Sequence, residues 1–193
     1  MMALDIKEIL ADGLLQLNQT QLLSTITIKQ LLSYTKVSKQ SFYNHFLDKN
    51  HLIQYVYENK IIPDFNDNNL SLSFYDSLIM SFNNMLKYKK FMKEACMTEG
   101  QNCLKDYIFE HCKEFDLKWH QELYGEELPE TLYFATIYHA TASSSMTLSW
   151  ILSDMNVEVE EMARMITQIR SIGMEKLFEK AGENPYEIRK STN

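Results

Sequence analysis

With 193 residues the chain can bury a real core as one medium or two small domains. Its five glycines and three prolines are too few for the many tight turns of a sandwich or barrel, so the composition points to an all-α fold. The formal charge of −7 argues against unspecific adhesion to nucleic acid, but it is unevenly placed: residues 1–60 hold six lysines against five acids, and the remainder 13 basic against 21 acidic residues.

In chain order, Leu4 to Leu17 reads as a first helix, with Leu4, Ile9, Leu10, Leu14 and Leu17 at helical spacing. Asp5, Lys7 and Glu8 interrupt any signal-peptide apolar core in this stretch. No later apolar run approaches the ~18 residues a bilayer crossing needs, so the chain is expected to be cytoplasmic, with no membrane partner. After a break at Asn18–Thr25, Thr27 stands in N-cap position ahead of Ile28, Leu31 and Leu32, and this short second helix stops near Thr35. Lys36-Val37-Ser38 forms a connector that ends in the next N-cap. A third short helix, Lys39 to Phe46, sends Phe42 and Phe46 to one side and leaves Lys39, Gln40, Ser41, Asn44 and His45 on the other. Asp48 caps a fourth, from about Lys49 to Lys60, with Leu52 and Val56 inward. Pro63 and the polar run Asp64–Asn69 close this first unit.

Short helices whose second and third members are joined by a three-residue turn read as a helix-turn-helix. A helix face of lysine, glutamine, serine and asparagine suits a major groove, where Lys can meet guanine and Gln or Asn can meet adenine. The run Thr27-Ile28-Lys29-Gln30-Leu31-Leu32-Ser33-Tyr34-Thr35-Lys36-Val37-Ser38-Lys39-Gln40-Ser41-Phe42-Tyr43-Asn44-His45-Phe46-Leu47-Asp48-Lys49-Asn50-His51-Leu52 resembles the DNA-binding signature of TetR-family regulators. Its Val-Ser, Phe-Tyr-x-His-Phe and Asp-Lys-x-x-Leu parts stand in register without a gap. The resemblance implies that Thr27, Tyr43, His45 and Lys49 bind backbone phosphates, and that Lys39, Gln40, Ser41 and Asn44 read bases. The competing readings are packing beneath the fourth helix for Tyr43 and plain surface for His45. Lys36 departs from the family, which usually has Gly in the turn. Either the turn closes without a left-handed residue or it is strained, and Lys36 is a further candidate phosphate contact.

The second unit is built of longer helices. Phe74, Leu78, Phe82 and Met85 or Leu86 make one stripe. Leu104, Tyr107, Ile108, Cys112, Phe115 and Trp119 make another, closed by Gly125. A helix follows Pro129 to about Ser153, and the last runs from about Glu158 to Glu179. The expected organisation is a helix-turn-helix domain at 1–48, a connecting helix at 49–62, a helical ligand-binding and dimerisation domain at 63–182, and a frayed tail at 183–193.

The small side chains of Ala140 to Ser145 in mid-helix let a partner helix approach closely. Ala142, Ser143, Met146, Trp150, Met162, Met165, Ile169 and Ile172 are accordingly the expected dimer interface, in agreement with the four-helix dimer that the resemblance implies. The family generally carries a cavity among these helices, for which Phe82, Met85, Tyr107, His111, Phe115, Trp119, Tyr138 and His139 are the candidate lining. Such a stripe of methionine and aromatics is otherwise ordinary core. Its character suits an apolar or amphipathic effector, and the acids of this unit speak against a tightly held anion.

No metal site or cofactor is expected. The three cysteines are odd in number and lack C-x-x-C spacing. Cys103 and Cys112, the nearest approach to a ligand set with His111 and His120, stand nine residues apart, on opposite faces of one helix. Catalytic grammar is missing too: there is no G-x-G-x-x-G, Walker loop or H-E-x-x-H, and the pairs Glu126–Glu127 and Glu160–Glu161 suit helix ends. The expected function is a non-enzymatic bacterial regulator: a homodimeric, ligand-released repressor on an inverted-repeat operator. The alternative is a TetR-like activator answering to a protein coactivator, as in some regulators of dihydroxyacetone metabolism; the small-residue helix ending at Trp150 is compatible with that branch.

Overall fold

The computed structural model describes residues 5–62 and 73–178, with side chains through Gly173. The described residues form helices and no strand, as the composition requires. Pro63, the run Asp64–Asn69 and the expected tail at 183–193 lie outside the described residues.

Helix α1 (Ile6–Thr20) starts where the Asp5 carboxylate accepts the Lys7 N–H at 2.9 Å. It buries Leu10, Ala11 and Leu14. Gly13 lets the next helix cross closely, since a Cβ there would stand 2.3 Å from Thr35 Cγ2. A 3-10 turn at Leu23–Thr25 fills part of the expected break.

Helix α2 (Ile28–Thr35) opens on a full capping box, Thr27 and Gln30 each satisfying the other's backbone N–H. Ser38 caps α3 (Lys39–His45) by accepting the Ser41 N–H at 3.0 Å. Asp48 caps α4 (Lys49–Val56) by accepting the His51 N–H at 2.8 Å. This helix continues as a π turn, Tyr57–Ile61, so the fourth element ends close to where the sequence placed its end. Phe42, Phe46, Leu52 and Val56 close the core beneath α3.

The second unit contains α5 (Phe74–Lys87), α6 (Lys89–Cys96), α7 (Leu104–Tyr124), α8 (Glu130–Leu152) and α9 (Val159–Phe178). Helix α6 has no herald in the sequence: Tyr88, at φ −103° and ψ 29°, separates it from α5 without glycine or proline. Gly125 ends α7 at φ 102°, a conformation that favours glycine. Helices α7 and α8 pack along each other, α9 lies against α5 and α8, and α6 reaches back to α1 and the 3-10 turn. One continuous core runs from Leu10 in α1 to Ile166 in α9.

Candidate nucleic-acid interface and regulatory cavity

With Phe42 and Phe46 anchoring α3 from below, Lys39, Gln40, Tyr43, Asn44 and His45 are exposed. Gln40 Nε2 donates to Asn44 Oδ1 at 2.9 Å, which joins two candidate base readers one helical turn apart. The Ser41 hydroxyl lies 2.8 Å from that of Ser38 and serves the cap as well as the face. Tyr43 is 47% exposed, its ring edge-on to Phe42 at 5.2 Å and beneath the Lys39 ammonium at 5.9 Å. It therefore does not pack beneath α4.

Lys36 stands at φ 59° and ψ 19°, which decides between the two readings of the turn. The chain keeps the left-handed conformation and places a lysine in it, so the turn is strained. Thr27 is exposed at the start of α2.

Lys49 corrects an expectation. Its ammonium points inward and donates to the carbonyls of Leu23 at 2.9 Å and Ile26 at 3.0 Å. Burial pulls its pKa below the ordinary lysine value. The side chain ties the 3-10 turn to the start of α4, because carbonyls orphaned at a tight turn need a donor there.

Helix α6 secures the same turn from the other side. Lys90 Nζ donates to Asn18 O at 2.5 Å and Gln21 O at 3.0 Å. Glu94 accepts the Leu23 N–H at 2.6 Å and Asn18 Nδ2 at 2.9 Å. A second joint lies at α4, where Asn50 and Gln54 donate to the carbonyls of Gln101 and Asn102 at 2.9 and 3.0 Å. Farther along, the Tyr107 hydroxyl donates to Glu58. The reading head is thus held to the second unit by side-chain hydrogen bonds at several points.

A cavity of about 60 Å³ opens between the π turn and helices α5, α7, α8 and α9. Of the expected lining residues, Phe82, Met85, His111 and Phe115 face it. The other four do not. Tyr107 is turned to Glu58, Trp119 stacks on Phe74 at 5.8 Å, and Tyr138 is 62% exposed on the outer face of α8. His139 is buried against Gly173, where an added Cβ would come within 2.6 Å of its ring.

The cavity also has a polar end that the sequence reading missed. Arg170 on α9 donates to Asp116 on α7 at 2.5 Å, both deeply buried, and its guanidinium lies over the Phe74 ring at 4.5 Å. Burial pushes the Asp116 carboxyl up and the arginine opposes it. Ser81, Ser144 and Thr147 line the same region. Burial holds His111 below its ordinary pKa, so it is neutral, and pushes the Cys112 thiol up to about 11. A charged pair spanning 54 residues leaves no local trace in a sequence. Ser81 sits in the Phe74–Phe82 stripe that did mark the cavity.

On the outside, α8 and α9 share an apolar surface. Phe134, Tyr138, Ala142 and Met146 lie along α8, with Ile169 (65% exposed) and Ile172 (75%) on α9 and half-buried Met165 beside them. Three residues expected on the dimer face are placed elsewhere. Trp150 and Met162 are core, each 3% exposed, with Trp150 Nε1 donating to Val157 O at 2.9 Å. Ser143 faces the cavity. No helix among the described residues is long and apolar enough to cross a membrane.

Comparison with known proteins agrees with this geometry. A TetR-type family model described as a transcriptional regulator C-terminal region matches residues 73–171, half of the chain. The chain is 22% identical over 162 residues to the HTH-type dhaKLM operon transcriptional activator DhaS of Lactococcus lactis, covering 79% of this chain and 82% of that protein. Among solved structures it resembles a dihydroxyacetone kinase operon activator, DhaS, with a TM-score of 0.67 and 15% identity over 90% of this chain and 98% of the other. A TetR-family regulator from Syntrophomonas wolfei gives a TM-score of 0.53 and 14% identity over 87% of this chain and 94% of the other. The family signature read at Thr27–Leu52 and the profile matched over 73–171 fall on different halves of one molecule, and the chain belongs to the TetR family of transcriptional regulators.

Proposed function

We propose that two copies of this chain associate through the exposed faces of α8 and α9 and set their α3 helices into adjacent major grooves of an inverted-repeat operator. Lys39, Gln40, Ser41 and Asn44 read bases, while Thr27, Lys36, Tyr43 and His45 fix the register on phosphates. The observation that carries this reading is α3 itself: a helix anchored by two buried phenylalanines turns its hydrogen-bonding side chains to solvent on one face. A head of this size binds too weakly alone, and the uncovered apolar surface of α8 and α9 is the natural place for the second copy. In this reading an effector in the cavity shifts the heads and releases the operator.

A second reading is favoured by the likeness to DhaS, named as an operon activator in both the sequence and the structure comparison. Here the bound dimer raises transcription and its signal is a protein partner. The size of the cavity, about 60 Å³, is in keeping with that branch, since drug-sized effectors need several times more room.

Selection of bound duplexes from a random DNA pool at about 150 mM salt, where unspecific phosphate binding is suppressed, tests the reading. Enrichment of an inverted repeat supports it, and the absence of any enriched sequence from a folded dimer overturns it. Transcription in vitro from the enriched site then separates repression from activation.

A further inference from the structure

The polar end of the cavity holds hydroxyls with no partner among the described residues. Ser81 on α5 and Thr147 on α8 are 5% and 7% exposed, both line the cavity, and neither side chain has a hydrogen bond there. Most other buried hydroxyls of the helices are matched. Ser144 donates to Ala140 O, Thr136 to Leu132 O and Thr167 to Ala163 O, each within 2.8 Å. Neither oxygen is sealed from a water-sized molecule, so both open onto the cavity and can meet a molecule inside it. Two such hydroxyls facing one cavity from opposite helices point to a ligand that carries the complementary groups.

Charge and size narrow its class. The ion pair Asp116–Arg170 borders the same space, with one guanidinium nitrogen on the carboxylate. An anion would meet the Asp116 carboxylate and a cation the Arg170 guanidinium, and either would bring an unmatched charge into a buried site. His111 is neutral and adds no charge. Much of the remaining wall, including Phe74, Phe82 and Met85, is aromatic or apolar, with Ser143 and the Cys112 thiol as further polar points. At roughly 10–15 Å³ for each water-sized group, 60 Å³ admits about four to six non-hydrogen atoms.

We propose that the cavity binds a small uncharged molecule with hydroxyl or carbonyl groups on a short carbon chain, held by the Ser81 and Thr147 hydroxyls. The inference rests on the reading of the cavity as the effector site. It replaces the broad apolar or amphipathic class with a specific one.

Met85 lines the cavity, so its methyl signal serves as a reporter on it. We would titrate the full-length dimer, carrying 13C-labelled methionine methyls, with 1,3-propanediol, glycerol, propionate and n-propylammonium, and assign the Met85 signal with Met85→Leu. Saturable movement of that signal by the two uncharged probes, and none by the two ions, is the expected result. Ser81→Ala should weaken the uncharged probes about fivefold and Ser81→Ala/Thr147→Val further, in keeping with the loss of one and two neutral hydrogen bonds. The single variant removes one oxygen and keeps the comparison usable if the double one fails to fold. Stronger movement by an ion, no movement by any probe, or uncharged binding untouched by both variants would overturn the proposal. Operator affinity measured in the same samples separates the two readings: binding of the uncharged probes without any change in operator affinity supports the ligand class and sinks control of DNA binding through this cavity.

Discussion

The Glu94 carboxylate accepts the backbone N–H of Leu23 at 2.6 Å, so a residue of the second unit fixes the turn on which the helix-turn-helix begins. The same carboxylate takes Asn18 Nδ2, and Lys90, one turn earlier on α6, covers the carbonyls at the end of α1. Hydrogen bonds to a charged partner contribute about 1.5–3 kcal/mol each when the donor is otherwise left unmatched. Glu94→Gln is therefore expected to speed amide exchange over residues 18–26 and to weaken operator binding, while the dimer stays intact. Unchanged exchange in that segment would show that Glu94 does not hold the turn.

Lys49 and Gln40 separate two ways of losing DNA binding. Lys49 sits under the turn, bonded to the Leu23 and Ile26 carbonyls. Lys49→Met should lower the unfolding temperature and weaken all DNA sequences alike, with no change in the salt dependence, because no phosphate contact is lost. Gln40 is exposed on α3, and Gln40→Ala should lose about 1–3 kcal/mol at particular base pairs only. Fluorescence anisotropy on the selected site and on single-base variants, across a salt series, reads both. A salt slope reduced by about one in Lys49→Met would restore the phosphate role.

Lys36 adopts φ 59°, where a residue with a Cβ is disfavoured by about 1–2 kcal/mol. Glycine removes that strain but enlarges the unfolded ensemble, which offsets part of the gain. Lys36→Gly is expected to stabilise the protein by about 0.5–1 kcal/mol in urea unfolding. It should also flatten the salt dependence of operator binding by about one unit if its ammonium touches a phosphate. Stabilisation with an unaltered salt slope leaves Lys36 as a strained turn residue and nothing more.

What the sequence made legible follows from how local each signal is. Thr27, Ser38 and Asp48 could be read as caps because a cap is chemistry between residues two or three apart. Phe42 and Phe46 could be placed in the core because one helical turn separates them. The pairing of Asp116 with Arg170, the reach of Lys90 and Glu94 to α1, and the inward turn of Lys49 depend on how distant segments meet. Periodicity also fails for α8, which is apolar on both faces: Trp150 is needed inside, and Phe134 and Tyr138 stand outside. A stripe count cannot tell those faces apart, so Trp150 is expected on the wrong side.

The outer face of α8 and α9 gives a direct test of assembly. Ile169 and Ile172 on α9 are 65% and 75% exposed, and Phe134 and Tyr138 on α8 are exposed as well, apolar side chains of the kind that a second copy covers. Ile169→Glu should leave the helical content and the unfolding temperature of the monomer near those of the parent, while sedimentation shifts from dimer to monomer at micromolar concentration. Operator binding should fall together with dimerisation, since paired half-sites need paired heads. A variant that sediments as the parent does would move the interface elsewhere.

His120 sets an acid limit on stability. Its ring Nδ1 lies 2.8 Å from Thr136 Oγ1, whose own hydrogen goes to Leu132 O, so the imidazole is the donor and carries its proton on Nδ1. Burial, with Arg170 and His139 adding to it, lowers the His120 pKa to about 4. The unfolded chain, near the ordinary value of about 6.5, binds a proton that the folded chain refuses between those two values. Stability supplied by the neutral ring is complete above pH ~6.5 and is lost as the pH falls toward 4, at up to ~1.4 kcal/mol per pH unit. His111 and His139, both lowered by burial, steepen the loss in the same direction. Urea unfolding at pH 7.5, 6 and 5 should show this decline, and His120→Asn, though less stable at pH 7.5, should show a shallower one. Equal slopes in the two proteins would assign the acid sensitivity to the other histidines or to the carboxylates.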